Sequence, residues 1–146
     1  MVSILRFDHI GVTVGDLERA ITFFVGLGLE VEGRTFVEGD FIDTVTGIPD
    51  SRSEIVMLRT PGGGTQLELS RFVRPAPLPV PEPSMANDLG LRSLAFEVED
   101  LRAQVDRLAG EGYGLIGGIG EYEGVWLMAY VRGPERIIVA LAERIG

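Results

Sequence analysis

His9 is the only histidine of the chain, and cysteine is absent. Imidazole and carboxylate groups are the side chains best suited to hold a divalent cation or to move a proton near neutral pH. With one histidine, a site needing two imidazoles cannot be built within a single copy. Without cysteine, thiolate metal centres, cysteine nucleophiles and disulfides are excluded. The strand pattern puts Glu68 on a face matching that of His9. An imidazole facing a carboxylate reads as a hydrogen-bonded pair in a polar pocket. A second group is Trp126, Met128 and Tyr130, which alternate and are followed by Arg132. Alternation puts them on one side of a strand. Facing a concavity they line a small-molecule pocket; facing the other way they are core or a subunit interface.

These residues depend on a scaffold that repeats. Asp8–Leu17 matches Arg92–Leu101 without a gap at an offset of 84 (92 − 8). Each copy is a strand ending at an aspartate, Asp16 or Asp100, whose carboxylate can cap the helix that follows. The helix stripes are Leu17, Ala20, Ile21 and Phe24 in the first copy and Leu101, Val105 and Leu108 in the second. Gly28 and Gly112 stand where a left-handed helix end is cheap. Further on, residues 54–59 and 65–71 flank a Gly-rich turn, and residues 124–132 and 137–143 flank Gly133–Arg136. There Glu68 falls on Ala140, an offset of 72 (140 − 68), so the first half carries an insertion, read as residues 39–52. That segment, with Asp40, Phe41, Asp43 and Asp50, is a candidate lid or a mobile surface loop. The three glycines between Thr60 and Thr65 read as a hairpin turn rather than a phosphate cradle, and Gly110–Gly120 as a helix end and strand entry.

Both halves therefore read strand, helix, strand, strand, strand. The expected architecture is α+β: two tandem βαβββ modules forming a cupped, mostly antiparallel mixed sheet. The modules are residues 1–72 and 90–146, joined by a linker over residues 73–89. There Pro75, Pro77, Pro79, Pro81 and Pro83 alternate and favour extended polyproline backbone. Alternation also sorts faces. His9, Gly11 and Thr13 share one side with Phe7; Gln66, Glu68 and Ser70 form the polar side of the fourth strand. His9, Glu68, Ser93 and Ala140 are then repeat-equivalent positions on one side of the sheets.

Length and composition bound the alternatives. The 146 residues make one ordinary domain or two very small ones, and 45% hydrophobic with 24% charged residues is a globular balance. The net charge of −9 repels phosphate backbones and anionic headgroups, so neither a nucleic-acid nor a membrane partner is expected. No apolar run approaches a membrane span. Arg6 and Asp8 interrupt the stretch where a signal peptide needs an apolar core, so a cytoplasmic location is expected.

The duplicated pattern resembles the vicinal oxygen chelate superfamily. That group includes lactoylglutathione lyase, methylmalonyl-CoA epimerase, extradiol dioxygenases, fosfomycin-inactivating transferases and bleomycin-resistance proteins. His9–Leu17 looks like the family's opening strand and helix start, Phe24–Gly28 like its helix end, and Gln66–Leu69 like its fourth strand. The resemblance covers nearly the whole chain. It implies a divalent metal held by one residue from each of four strands. His9 and Glu68 match the first two positions. Ser93 stands where a second imidazole is usual, and Ala140 where a second carboxylate is usual. Catalytic metal sites commonly use about three protein donors, so the set is incomplete and any divalent ion is expected to be weakly held. Glu121, Tyr122 or Glu123, read as a loop before the seventh strand, could swing in as replacement donors.

Two functions follow from these residues. The first is a protein with a degenerate metal site that binds or converts a small organic molecule in the sheet cup. Phe7, Ser93, Trp126, Met128, Tyr130 and Arg132 would line the pocket. Bleomycin-resistance proteins resemble this case, and the resemblance implies a homodimer. The second is a divalent-metal-dependent lyase or isomerase resembling lactoylglutathione lyase or methylmalonyl-CoA epimerase, with Glu68 or Glu121 moving the proton. A single histidine argues against the extradiol dioxygenase reading. A third reading is a duplicated scaffold whose ancestral site has decayed, leaving dimerisation.

Overall fold

The computed structural model describes residues 3–79 and 84–146. These fall into two compact units, one within Met1–Pro79 and one within Val80–Gly146. In the first, the order is β1 (His9–Thr13), α1 (Leu17–Leu27), β2 (Glu30–Glu38), α2 (Asp40–Thr46), β3 (Arg52–Arg59) and β4 (Gln66–Arg74). In the second it is β5 (Ser93–Glu97), α3 (Leu101–Gly110), β6 (Gly120–Tyr122), β7 (Trp126–Arg132), a 3-10 turn (Pro134–Arg136) and β8 (Ile138–Arg144).

Each unit is a four-stranded sheet of the same topology, β1-β4-β3-β2 and β5-β8-β7-β6. The first strand pairs in parallel with the last, and the other pairs are antiparallel. The repeat extends to single bonds. The Val14 amide donates to Ser70 O and the Val98 amide to Ala142 O, both at 2.8 Å. Asp16 caps α1 by accepting from the Arg19 amide at 3.0 Å, and Asp100 caps α3 by accepting from the Ala103 amide at 3.2 Å. Both helices end with the same closure. Leu29 and Tyr113 donate back to Phe24 O and Leu108 O, with Gly28 and Gly112 between at φ +117° and +96°. Glycine fits there because it has no Cβ to clash in that conformation.

The helix covers one face of each sheet and supplies the core. In the first unit Leu17, Ala20, Phe23 and Phe24 pack with Val56, Leu58, Leu67 and Leu69, all buried. Phe23 takes the place expected for Ile21, which is only half-buried; its ring meets Phe24 edge-on at 5.0 Å. In the second unit Leu101, Val105 and Leu108 pack with Leu127, Ala129, Val131, Val139 and Leu141.

Two segments differ from the sequence reading. The insertion is not a loop: residues 40–46 form α2, and Asp43 ties it down by accepting from the Asp50 amide, the Ser51 amide and the Ser51 hydroxyl at 2.8, 3.1 and 2.8 Å. These bonds hold the Asp43 carboxyl below its ordinary pKa, the Ser51 hydroxyl most strongly. Val73 and Arg74, read as the start of the linker, continue β4. Arg74 pairs with Glu38 and Asp50 and so extends the ladder beyond the apolar pattern. Of the linker prolines, Pro81 and Pro83 lie outside the described residues. No helix among the described residues is long and apolar enough to cross a membrane.

Candidate functional site

The face of each sheet turned away from its helix carries the candidate residues, and the two faces differ in chemistry. On the first, register aligns His9 with Gln66, Gly11 with Glu68 and Met57, and Thr13 with Ser70 and Ile55. His9 and Glu68 are thus diagonal neighbours across β1 and β4, close enough for long side chains to meet. His9 Nε2 lies 3.4 Å from Glu68 Oε2. On the other side of the ring, Nδ1 is 2.7 Å from Asp8 Oδ2, and Asp8 also accepts from Arg6 at 2.9 Å. The His9 hydrogen bond, and after it Arg6, lowers the Asp8 carboxyl below its ordinary value. An ionised carboxylate only accepts, so this bond places the proton on Nδ1 and turns Nε2 toward Glu68. Gln66 donates to Glu32, so that amide is engaged. Gly11 adds no bulk opposite Glu68, and a Cβ there would meet open space. Phe7 precedes β1 and is exposed.

Whether this face could hold a metal turns on its donors. With metal–ligand bonds of about 2.1 Å, the His9–Glu68 separation corresponds to an angle of about 108° at a shared ion, near tetrahedral. Two protein donors leave half or more of a coordination sphere to water. Among the described residues no group of three or more histidine, cysteine, aspartate or glutamate side chains is placed to hold a metal ion. The residues present therefore do not fit a resident metal.

The second face mixes apolar and charged residues, with Ile138 and Ala140 buried at its centre. Ser93, Ile138 and Arg132 form one row across it, Ala95, Ala140 and Tyr130 the next, and Glu97, Ala142 and Met128 the third. Trp126 follows opposite Arg144, whose guanidinium lies 5.8 Å from its ring. Leu127, Ala129 and Val131, the intervening residues of β7, are buried, so Trp126, Met128 and Tyr130 point away from α3 and share a side with Ser93 and Ala140. Tyr122 pairs with Trp126 and joins that side.

One sequence expectation is corrected here. Glu121 is not in a loop: it lies in β6 paired with Leu127, on the side turned to α3, so it could join the open face only if that pairing broke. Arg132, expected to line the pocket, is engaged by neighbouring backbone. Its guanidinium donates to Ser84 O at 2.7 Å and Arg136 O at 3.0 Å, and lies 3.6 Å from Met85 Sδ, holding the backbone before β5. Asp8, Glu32 and Glu97 were not singled out from the sequence. The signal for Glu97 was present in the β5 alternation; those for Asp8 and Glu32 were not, because one precedes its strand and the other sits at the register shift of β2.

The Glyoxalase/Bleomycin resistance protein/Dioxygenase superfamily matches residues 8–130. A glyoxalase family protein from Bacillus cereus is 39% identical, with 99% of this chain and 97% of that one covered at a TM-score of 0.95. TnmS3, an antibiotic binding protein from Streptomyces sp. CB03234, shares the fold at 19% identity, with 99% of each chain covered and a TM-score of 0.63. So does the fosfomycin resistance protein FosX from Listeria monocytogenes, solved with Mn(II) and sulfate. It is 14% identical, with 97% of this chain and 93% of that one covered, at a TM-score of 0.61. No curated protein matches.

Proposed function

Because the chain belongs to the glyoxalase/bleomycin resistance protein/dioxygenase superfamily, whose fold serves several chemistries, we propose that it binds a small organic molecule on an open sheet face without a resident metal. The observation that carries this reading is the row Ala95, Ala140, Tyr130: exposed Ala95 and Tyr130 flank a buried alanine at the position where the superfamily resemblance implies a second carboxylate. Met128 and Tyr130 remain 43% and 36% exposed beside it, the kind of apolar surface that small-molecule sites use. In the first module, His9, Glu68, Thr13 and Ser70 offer hydrogen bonds that could orient a polar group. Ser93 supplies one hydroxyl in the second. The proposal includes a homodimer, as the superfamily resemblance implies; sedimentation velocity on the purified chain tests it.

Thermal shift against a panel of planar and antibiotic-like organic molecules tests the function. The expected result is stabilisation by at least one compound, lost in Tyr130→Ala and unchanged in Asp106→Asn on α3. A ligand that binds Tyr130→Ala as tightly as the native chain would overturn the assignment. The competing metal-dependent lyase or isomerase draws support from the His9–Glu68 spacing. Elemental analysis finding one divalent ion per chain, lost in His9→Ala, would favour it instead.

A further inference from the structure

We infer that Arg92, the residue before β5, is an anion ligand: it takes a small oxyanion group, carboxylate or phosphate, at the end of the second sheet where β5 and β8 begin. This site goes beyond the reading of the open face and does not depend on it. The chain has no lysine, so every cationic side chain except the lone histidine is an arginine. The arginines of β2, β3 and β4 all pair with carboxylates. In the second unit Arg107 pairs with Glu111, Arg132 donates to two backbone carbonyls, and Arg144 donates to Gly146 O. Arg92 does none of this. It is half-buried, and its Nε is the one buried side-chain nitrogen or oxygen among the described residues that has no hydrogen-bond partner.

A buried donor without an acceptor raises the free energy of the unliganded state. An oxyanion removes that penalty, because its two oxygens match two N–H groups of one guanidinium fork. No hydrogen bond or ion pair among the described residues holds the Arg92 side chain, so turning its inner edge toward an anion breaks none. Its neighbour leaves it room. Gly90 is exposed at φ +110°, and a Cβ there would stand 3.3 Å from Arg92 Nη2. The same end of the sheet carries further guanidinium groups. Ser93, Ile138 and Arg132 share a row, so Arg92 precedes β5 where the exposed Arg136 precedes β8. The carboxylates nearest in the chain are Glu135 and Asp88, and Asp88 accepts from the Met85 amide at 2.7 Å. The net charge of −9 opposes the long-range approach of an anion, so binding rests on short-range hydrogen bonds and is weak, about millimolar.

The full chain, labelled with nitrogen-15, is titrated separately with methyl phosphate and with acetate, and with sodium chloride at matched ionic strength as the control. With at least one of the two oxyanions, saturable shifts are expected at the Gly90, Leu91 and Arg92 amides and at the Arg92 Nε–H; which one saturates identifies the group preferred. Arg92→Gln should abolish the amide shifts. Arg92→Lys, which keeps the charge and loses the fork, should weaken binding several-fold. Arg102→Gln, which removes an equal charge from α3, should leave it unchanged. Shifts that follow the chloride control, or that persist in Arg92→Gln, would overturn the inference. Neither result touches the open-face reading, which Tyr130→Ala tests separately.

Discussion

His9 and Glu68 meet diagonally across β1 and β4 with Nε2 and Oε2 3.4 Å apart, while Asp8 closes on the opposite ring nitrogen at 2.7 Å. The imidazole is therefore oriented by one carboxylate and faces another. Two donors with this spacing bind a divalent ion weakly. Calorimetric titration with zinc is expected to give an affinity weaker than about micromolar, abolished by His9→Ala or Glu68→Ala. A zinc ion that survives gel filtration at one per chain would show that the donor set is larger than these two.

The Asp8 bond also sets the ring tautomer. With a single histidine, one set of imidazole nitrogen resonances reports it. In the neutral ring the proton is expected on Nδ1. Asp8→Ala should shift the population toward Nε2–H, the form more common in free imidazole side chains. An unchanged nitrogen spectrum in that variant would show that Asp8 does not orient the ring.

Asp43 gives α2 a pH-dependent tether. Its folded pKa lies below the ordinary 3.8, so its contribution is complete above that value and is lost as pH falls through the lowered one. Amide exchange at Asp50 and Ser51 should be slow at neutral pH and accelerate selectively below about pH 3.8. In Asp43→Ala both amides should exchange fast at every pH, with little change in global stability. Slow exchange in that variant would mean that other contacts hold the helix.

Core and open face should respond oppositely to truncation. Leu69 is fully buried under α1, and Leu69→Ala is expected to cost about 2–5 kcal/mol by denaturant unfolding. Met128→Ala, on the exposed side of β7, should stay within about 0.5 kcal/mol of the native chain. A large loss from Met128→Ala would identify that face as packed interior.

The fold and the sorting of faces were legible because their causes are local. An alternating strand, an aspartate cap and a glycine at a left-handed helix end recur at matching positions, and the structure closes α1 and α3 with the same bonds. Local signals also put Trp126, Met128 and Tyr130 on one side of β7, though not which side: that depends on where α3 packs. α2 escaped notice because it is only seven residues long and its apolar pair at helical spacing, Phe41 and Val45, is exposed.

The sequence by itself determined two duplicated modules and the division of each strand into two faces, since both follow from residue type and period. Tertiary structure decided what each functional group meets. It set Glu121 against Leu127, engaged Arg132 with the Ser84 carbonyl and brought His9 Nε2 to Glu68. Those outcomes depend on ladder register and on contacts between segments far apart in the chain, which no local pattern specifies.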